Sequence, residues 1–450
     1  MPLVAAASQA FGASLVALRA TAALCAAAGV FVSCRLVAQW GGGRFAQVLT
    51  AIVVALTPVL CAFGEKVGPD MAGLWLWPLA ALFVARIAKG GDPRWWLAVG
   101  AALGVACEAK YSVIFFAVAL LLGLLLSPSR TIFATRWFPA GMALALLIAL
   151  PNFAWQAAHG FPMWQLLRDA QIAGKNVVLS PLGYVAQQVF VTNPLLAPLW
   201  IVGLIAAFLN RNLRWVGWTF VLLIAMMIAL HGKNYYPADV YPLLIGSGAL
   251  AVERWTARAQ IVRPVVAFAA VILSLWLIPL VEPILPEASA AAYQTKLGRL
   301  LHTSARSENH RPVAIGQDFA DMHGWPQLAA TVARVYDSLP APERARAAIV
   351  ASNYGEAAAI DFFGSAYALP PALSGHNNYW LWGTHGYDGS IVIDVNGDCG
   401  AREHLFASSE RAATFDAPWI MSYEQNIPIM ICRGVRKPLA TIWPSLKDYI

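Results

Sequence analysis

Three short polar clusters interrupt an otherwise apolar sequence, and their residue types suit phosphate and hydroxyl chemistry. The first is Glu65-Lys66-Val67-Gly68-Pro69-Asp70 and the second is Glu108-Ala109-Lys110-Tyr111. The third is His231-Gly232-Lys233-Asn234-Tyr235-Tyr236-Pro237, followed by Asp239. Carboxylates accept protons or bind hydroxyls. Lysine ammoniums hold a phosphate as point charges. Aromatic rings stack on sugars or mark a membrane interface. Any one cluster is also what a solvated turn beside an aromatic belt looks like. Three together, each joining a lysine to a carboxylate or an aromatic, favour a site. Asp70 and Glu65 are then the candidate catalytic carboxylates, and Lys110 and Lys233 the candidate phosphate ligands. Glu108, Tyr111, His231, Asn234, Tyr235 and Tyr236 are candidate substrate contacts.

A long connection, 152–189, adds His159 to these candidates. It carries Trp155-Gln156, His159-Gly160-Phe161-Pro162 and Trp164, then an amphipathic stretch through Arg168. Loops of this length are often lids or binding segments, and the pattern predicts a helix lying flat at a membrane surface. One histidine is weak evidence for a metal. No Cys or His spacing marks zinc, no glycine loop cradles a phosphate, and no Ser-His-Asp set stands out. No cofactor and no divalent metal is therefore indicated.

The elements that must position these residues are membrane helices. Hydrophobic residues make up 59% and charged residues 12% of the chain, with a mean hydropathy of +0.59. Soluble globular chains seldom reach such values. About ten apolar stretches near the length of a membrane span occur at 18–38, 45–63, 71–88, 95–107, 111–126, 137–153, 190–209, 215–230, 238–251 and 264–281. Reading the short fourth and fifth as one helix would bury Glu108 and Lys110 at mid-membrane, which is costly. They are kept as two.

Basic residues on the connections orient the spans. One set carries Arg35, Arg44, Arg86, Lys89, Arg94, Arg130, Arg136, Arg211, Arg214, Arg254, Arg258 and Arg263, twelve in all. The other carries six, among them Arg19, Lys66, Lys110 and Lys233. The positive-inside rule makes the first set cytoplasmic. The three clusters and everything after residue 281 then lie outside the cytoplasmic (inner) membrane. The net charge of +7 is largely this arginine rim, which argues against a nucleic-acid partner. With ten spans both ends are outside, so we expect one earlier helix and its outer loop to lie upstream of Met1.

Near residue 286 the long apolar runs stop. Short strands at 311–315, 347–351, 390–394 and 430–433 alternate with helical stretches at 327–339 and 356–364. This predicts a transmembrane domain over 1–285 and an extracytoplasmic α/β domain over 286–450. Cys399 and Cys432 are the only cysteines of that domain, and an oxidising compartment allows them to bridge. Asn353, Glu356, His376 and Asn377, within Asn353-Tyr354-Gly355-Glu356 and 374–382, are candidate glycan contacts. The competing reading is a turn-rich core using Asn and Gly for special backbone angles.

At 17–19, 41–45, 69–71, 95–111, 151–162 and 231–242 the chain resembles bacterial protein-mannosyltransferase-like glycosyltransferases of the GT-C type. That group includes the lipid A aminoarabinose transferases. The order and spacing of the stretches are the specific part, and they span most of 2–284. The second domain is also similar to one attached to some of these enzymes, through 318–325, 353–356 and 374–383. The resemblance implies inverting transfer of a sugar from a polyprenyl-phosphate donor to a protein, lipid or glycan acceptor at the outer face. It implies an acidic position at Asp70, and basic positions at Lys110 and Lys233 that face the carrier phosphate. The family's first outer loop, with its Asp-Glu pair, has no counterpart here. Pro2-Leu3 resembles the tail of the Pro-Pro-Leu that ends it. An inactive protein that only binds lipid-linked sugar, and a membrane transporter or flippase, stay open as alternatives.

The orientation is directly testable. A reporter active only outside the cytoplasm should work when fused after Val281 and be silent when fused between Arg211 and Arg214. The reverse pattern would move every candidate residue to the wrong compartment.

Overall fold

The computed structural model describes residues 2–12, 14–174, 179–301, 313, 315–400 and 404–449. It divides into two compact units, Met1–Trp155 with Asn176–Ile284, and Gln156–Lys175 with Leu285–Ile450. The expected strand at 311–315 and the basic residue Lys175 fall largely or wholly outside the described residues.

The first unit is helical. Its elements in chain order are α1 (Pro2–Phe11), α2 (Leu15–Gln39), α3 (Arg44–Leu56), α4 (Pro58–Glu65), α5 (Asp70–Ala88), α6 (Trp95–Ala109), α7 (Ser112–Leu125) and α8 (Trp137–Ala158). After α9 (Pro162–Ile172), which belongs to the second unit, come α10 (Pro181–Val191), α11 (Ala197–Leu209), α12 (Arg214–Ala229), α13 (Tyr241–Trp255) and α14 (Val262–Leu275). Among the described residues four helices are long and apolar enough to cross a membrane alone: α2, α5, α8 and the stretch Val262–Leu280. The bent pair α3 and α4 adds a fifth, and α6, α7, α11 and α12 are shorter apolar helices.

Several expected spans differ from these helices for local reasons. The second is broken at Thr57 and bent by 65°. Pro58 follows, and a residue before proline is pushed out of the helical region; Thr57 is extended, at φ −74° and ψ 119°. The fourth and fifth are separate helices, with Lys110 extended between them at φ −155° and ψ 129°. The seventh starts at Ala197 rather than 190, because Phe190 belongs to α10.

Glycines set how closely the helices approach, as in many membrane interfaces. The helices α11 and α13 pack on each other. A Cβ on Gly203 would lie 1.9 Å from the Leu244 carbonyl oxygen, and one on Gly248 would lie 2.1 Å from that of Leu199.

The second unit holds a five-stranded mixed sheet of order β2-β1-β3-β5-β4. The strands are β1 (Ala347–Ala351), β2 (Ala372–Leu373), β3 (Ile391–Val395), β4 (Phe406–Phe415) and β5 (Ile427–Val435). The β1 strand pairs parallel with β2 and β3, and β5 pairs antiparallel with β3 and β4. Alternation sorts the side chains onto two faces. Ala347, Ile349, Ile391, Ile393, Ile429 and Ile431 join Leu328 and Val332 of the helix Trp325–Ser338 in one core. Ala348, Val392 and Cys432 join Leu439 and Trp443 in another. Cys399 and Cys432 form a disulfide in this second core.

Replacing Gly203 by Ala forces α11 and α13 apart and should cost about 1–3 kcal/mol. Gly68, whose added Cβ would meet nothing within 4 Å, should tolerate the same change. Thermal unfolding in detergent compares the two, and equal melting temperatures would remove the close-packing role.

Candidate functional site

Three helix boundaries bring the polar clusters together in the first unit. Asp70 is the first residue of α5, where the helix dipole favours a negative charge. Lys110 follows α6 in an extended conformation, which throws its side chain sideways instead of along the helix. Its Nζ forms an ion pair with Asp70 Oδ1. The ammonium also lies 4.8 Å from the ring centroid of Tyr236, 5.2 Å from Tyr235 and 5.9 Å from Phe63. Such distances permit cation–π attraction.

Asp239 forms the floor. It is buried, and its Oδ1 has no hydrogen-bond partner among the described residues. It lies within electrostatic reach of Asp70 and Lys110. Its Oδ2 would be 1.9 Å from a Cβ on Gly73, so the carboxylate fits only because residue 73 has no side chain. Burial first, and the negative charge of Asp70 second, push the Tyr236 hydroxyl above its ordinary pKa.

The segment 231–237 is held from beneath by α10. The Tyr184 hydroxyl donates to the Lys233 carbonyl at 3.0 Å, and Gln188 Nε2 donates to the Asn234 carbonyl at 2.9 Å. Asn234 Nδ2 donates to Gln187 Oε1 at 3.2 Å, and the Tyr241 hydroxyl donates to Gln188 Oε1 at 2.9 Å. His231, Lys233 and Glu108 are exposed. Tyr111 donates to Asn152 Oδ1 and stacks on Phe153. The arrangement gathers Asp70, Lys110, Tyr235 and Tyr236 of the expected set, and adds Asp239 and Phe63.

Glu65 looks elsewhere. Phe63 of α4 faces the lysine, whereas Leu60, Cys61, Gly64 and Glu65 line a cavity of about 700 Å³ on the other side. Arg19, Glu282 and small residues of α2 complete its wall. Burial, then the charge of Glu65, raises the Glu282 carboxyl to about 7. Neither Arg19 nor Glu282 stands out in sequence, since each is a single charge at the end of an apolar stretch.

In the second unit the candidates behave differently. Asn353 and Glu356 form a capping box on the helix Tyr354–Phe363. Glu356 is 0% exposed, accepts from Asn396 Nδ2 at 2.7 Å and lies beside Glu424, to which Asn353 donates at 3.0 Å. Burial, then Glu424, raises its pKa. The glycan-contact expectation for Glu356 is therefore corrected: a fully enclosed carboxyl that caps a helix offers nothing to a ligand. Asn377 takes a left-handed backbone and its N–H donates to Asp448. His376 Nδ1 accepts from the Tyr354 N–H, and their rings lie 5.0 Å apart. His159, exposed just beyond α8, belongs to this unit.

The profile of the family described as dolichyl-phosphate-mannose-protein mannosyltransferase matches residues 2–155. Among solved structures, the chain is similar to ArnT from Cupriavidus metallidurans in the apo state, with 15% identity and a TM-score of 0.58. The same protein bound to undecaprenyl phosphate gives 14% identity and a TM-score of 0.58. Each comparison covers 95% of this chain and 86% of the other. The chain shares its fold with these structures. No curated sequence matches it. The family match and the apolar helices support a membrane location.

The carboxyl of Glu282 gives a pH signature. A folded-state pKa raised to about 7 means that the folded state holds the proton more tightly than the unfolded chain does. Its contribution to stability is therefore complete below the ordinary glutamate range and is lost as pH rises through about 7. The melting temperature of the parent should fall below that of Glu282→Gln above pH 7, and the two should converge near pH 4. Parallel pH profiles would show that Glu282 does not titrate in this window.

Proposed function

We propose that this GT-C protein transfers a sugar from a polyprenyl-phosphate carrier to an acceptor at the membrane face opposite the arginine-rich connections, with residues 285–450 on that same side. The observation that carries this reading is the single ammonium of Lys110, about three-quarters buried, set among aromatic rings at a helix break and paired with Asp70. Such a group suits a lipid-linked phosphate, which brings its negative charge to the interface and leaves its apolar chain in the bilayer. The ArnT structure bound to undecaprenyl phosphate supports a lipid-linked donor.

In the proposed step an acceptor hydroxyl attacks the anomeric carbon from the face opposite the phosphate. The new carbon–oxygen bond forms as the bond to the phosphate oxygen breaks, and the polyprenyl phosphate leaves with the electron pair. Lys110 balances the charge that builds on that leaving group. Lys233, exposed on the adjoining loop, is a second cation for the same phosphate. The acceptor's proton passes to a carboxylate. Asp70, ion-paired with Lys110 and less buried than Asp239, is the candidate for this role; donor binding would draw Lys110 away from it and free it. Tyr235 and Tyr236 offer ring faces to the sugar.

Lys110→Ala should weaken binding of a polyprenyl-phosphate sugar about 10–100-fold, the usual worth of a hydrogen bond to a charged group. Asp70→Asn should lower kcat with a much smaller change in donor affinity. Donor titration and single-turnover transfer with the parent and both variants make the comparison. Donor binding without transfer by the parent would favour the inactive sugar-lipid binder. Parent-like donor binding by Lys110→Ala would sink the phosphate assignment.

A further inference from the structure

The arginine-rich face of the first unit carries a second cavity, of about 620 Å³, between the C-terminal ends of α11 and α13. Its apolar wall includes Ile205, Leu209 and Trp255, and its rim carries Arg211 and Arg254. The volume falls within the roughly 300–1,000 Å³ of small-molecule sites.

Several other arginines on this face are occupied. Arg214 Nε donates to the Phe208 carbonyl, and Arg263 donates to the Thr256 hydroxyl and the Glu253 carbonyl. Arg86 lies over Phe83 and Trp95, while Arg94 and Arg136 lie over Trp137. Arg211 and Arg254 have no hydrogen bond or ion pair from their side chains among the described residues, and both border one cavity. The neighbouring carboxylate does not neutralise them. Glu253 is turned toward α3, where it accepts from the N–H groups of Gly43 and Ala46.

The surroundings of the cavity are those of a lipid contact. Leu209 is 78% and Trp255 68% exposed, on helices whose outward surfaces are apolar. A tryptophan of this kind sits at headgroup level. Basic pockets between membrane helices recognise anionic headgroups. We propose that this cavity binds one anionic phospholipid from the leaflet on the arginine-rich side, its phosphate between Arg211 and Arg254 and an acyl chain along Ile205 and Leu209. The site is independent of the donor site and of the sugar-transfer reading.

The test uses the full chain purified in a neutral detergent. Native mass spectrometry follows titration with phosphatidylglycerol, with phosphatidylcholine of the same acyl chains, and with inorganic phosphate. Phosphatidylglycerol should bind as one saturable copy, at least tenfold tighter than phosphatidylcholine. The double variant Arg211→Gln/Arg254→Gln should lose about 30-fold, at about fivefold per charge. The pair Arg35→Gln/Arg130→Gln removes the same charge from the same face, away from the cavity, and should bind like the parent. Ala206→Phe fills the cavity, keeps both arginines and should also weaken binding. Equal binding of the two lipids, or equal loss in the control pair, would overturn the proposal. So would inorganic phosphate binding as tightly as phosphatidylglycerol, which would make this a soluble-anion site.

Discussion

The first unit depends on a charge problem solved at helix ends. Asp70, Lys110 and Asp239 place two carboxylates and one ammonium in surroundings that are largely shielded from water. Moving an isolated charge there costs several kcal/mol, and pairing recovers this only when geometry is good. Here the geometry comes from three chain breaks. Pro69 precedes α5 and starts it at Asp70, Lys110 is extended between α6 and α7, and Pro237 leads into the short turn Ala238–Val240 before α13. Gly73 leaves the space that Asp239 fills. A Cβ at 73, or a continuous helix through 110, would dismantle the cluster without touching a charged residue.

That dependence explains what was legible in sequence. Lysines flanked by carboxylates and tyrosines at the ends of apolar runs mark helix boundaries as well as chemistry, so Asp70, Lys110, Tyr235 and Tyr236 stood out together. Keeping α6 and α7 apart rested on the cost of burying Glu108 and Lys110, and the structure has separate helices there. Arg19 and Glu282 were invisible because their meeting is purely tertiary: they lie more than 260 residues apart in the sequence. Glu65 was read with Asp70 because they are neighbours in the chain. A helix turns its residues outward in all directions, and Phe63 and Glu65 of α4 face different surroundings.

In the second unit Asn353-Tyr354-Gly355-Glu356 was open to two readings, a glycan contact or a turn-rich core, and neither named the helix cap that it forms. An Asn at the N-cap with Glu three residues on is a capping box, and this segment is one. Its burial beside Glu424 turns a local motif into a tertiary tie through Asn353 and Asn396. The β4 strand escaped sequence reading for the opposite reason. It is an edge strand, and Ser408, Ser409, Glu410 and Arg411 are all exposed. The alternation that marks a half-buried strand is absent there. What fixes β4 is its ladder to β5 together with Glu410, whose carboxylate accepts from Arg433 across that ladder.

The same logic separates two kinds of charge on the first unit. Charges that complete the fold are bound to specific backbone or aromatic groups. Glu253 caps α3, Arg263 ties the end of α13 to the start of α14, and Arg86 lies on Phe83 and Trp95. Charges around the two cavities are placed differently. Arg19, Glu65 and Glu282 converge on one space, and Arg211 and Arg254 on the other. An ion pair at a surface adds about 1 kcal/mol at most, so these groups contribute little to holding the helices together. In the second case that open volume is the one we propose for a phospholipid.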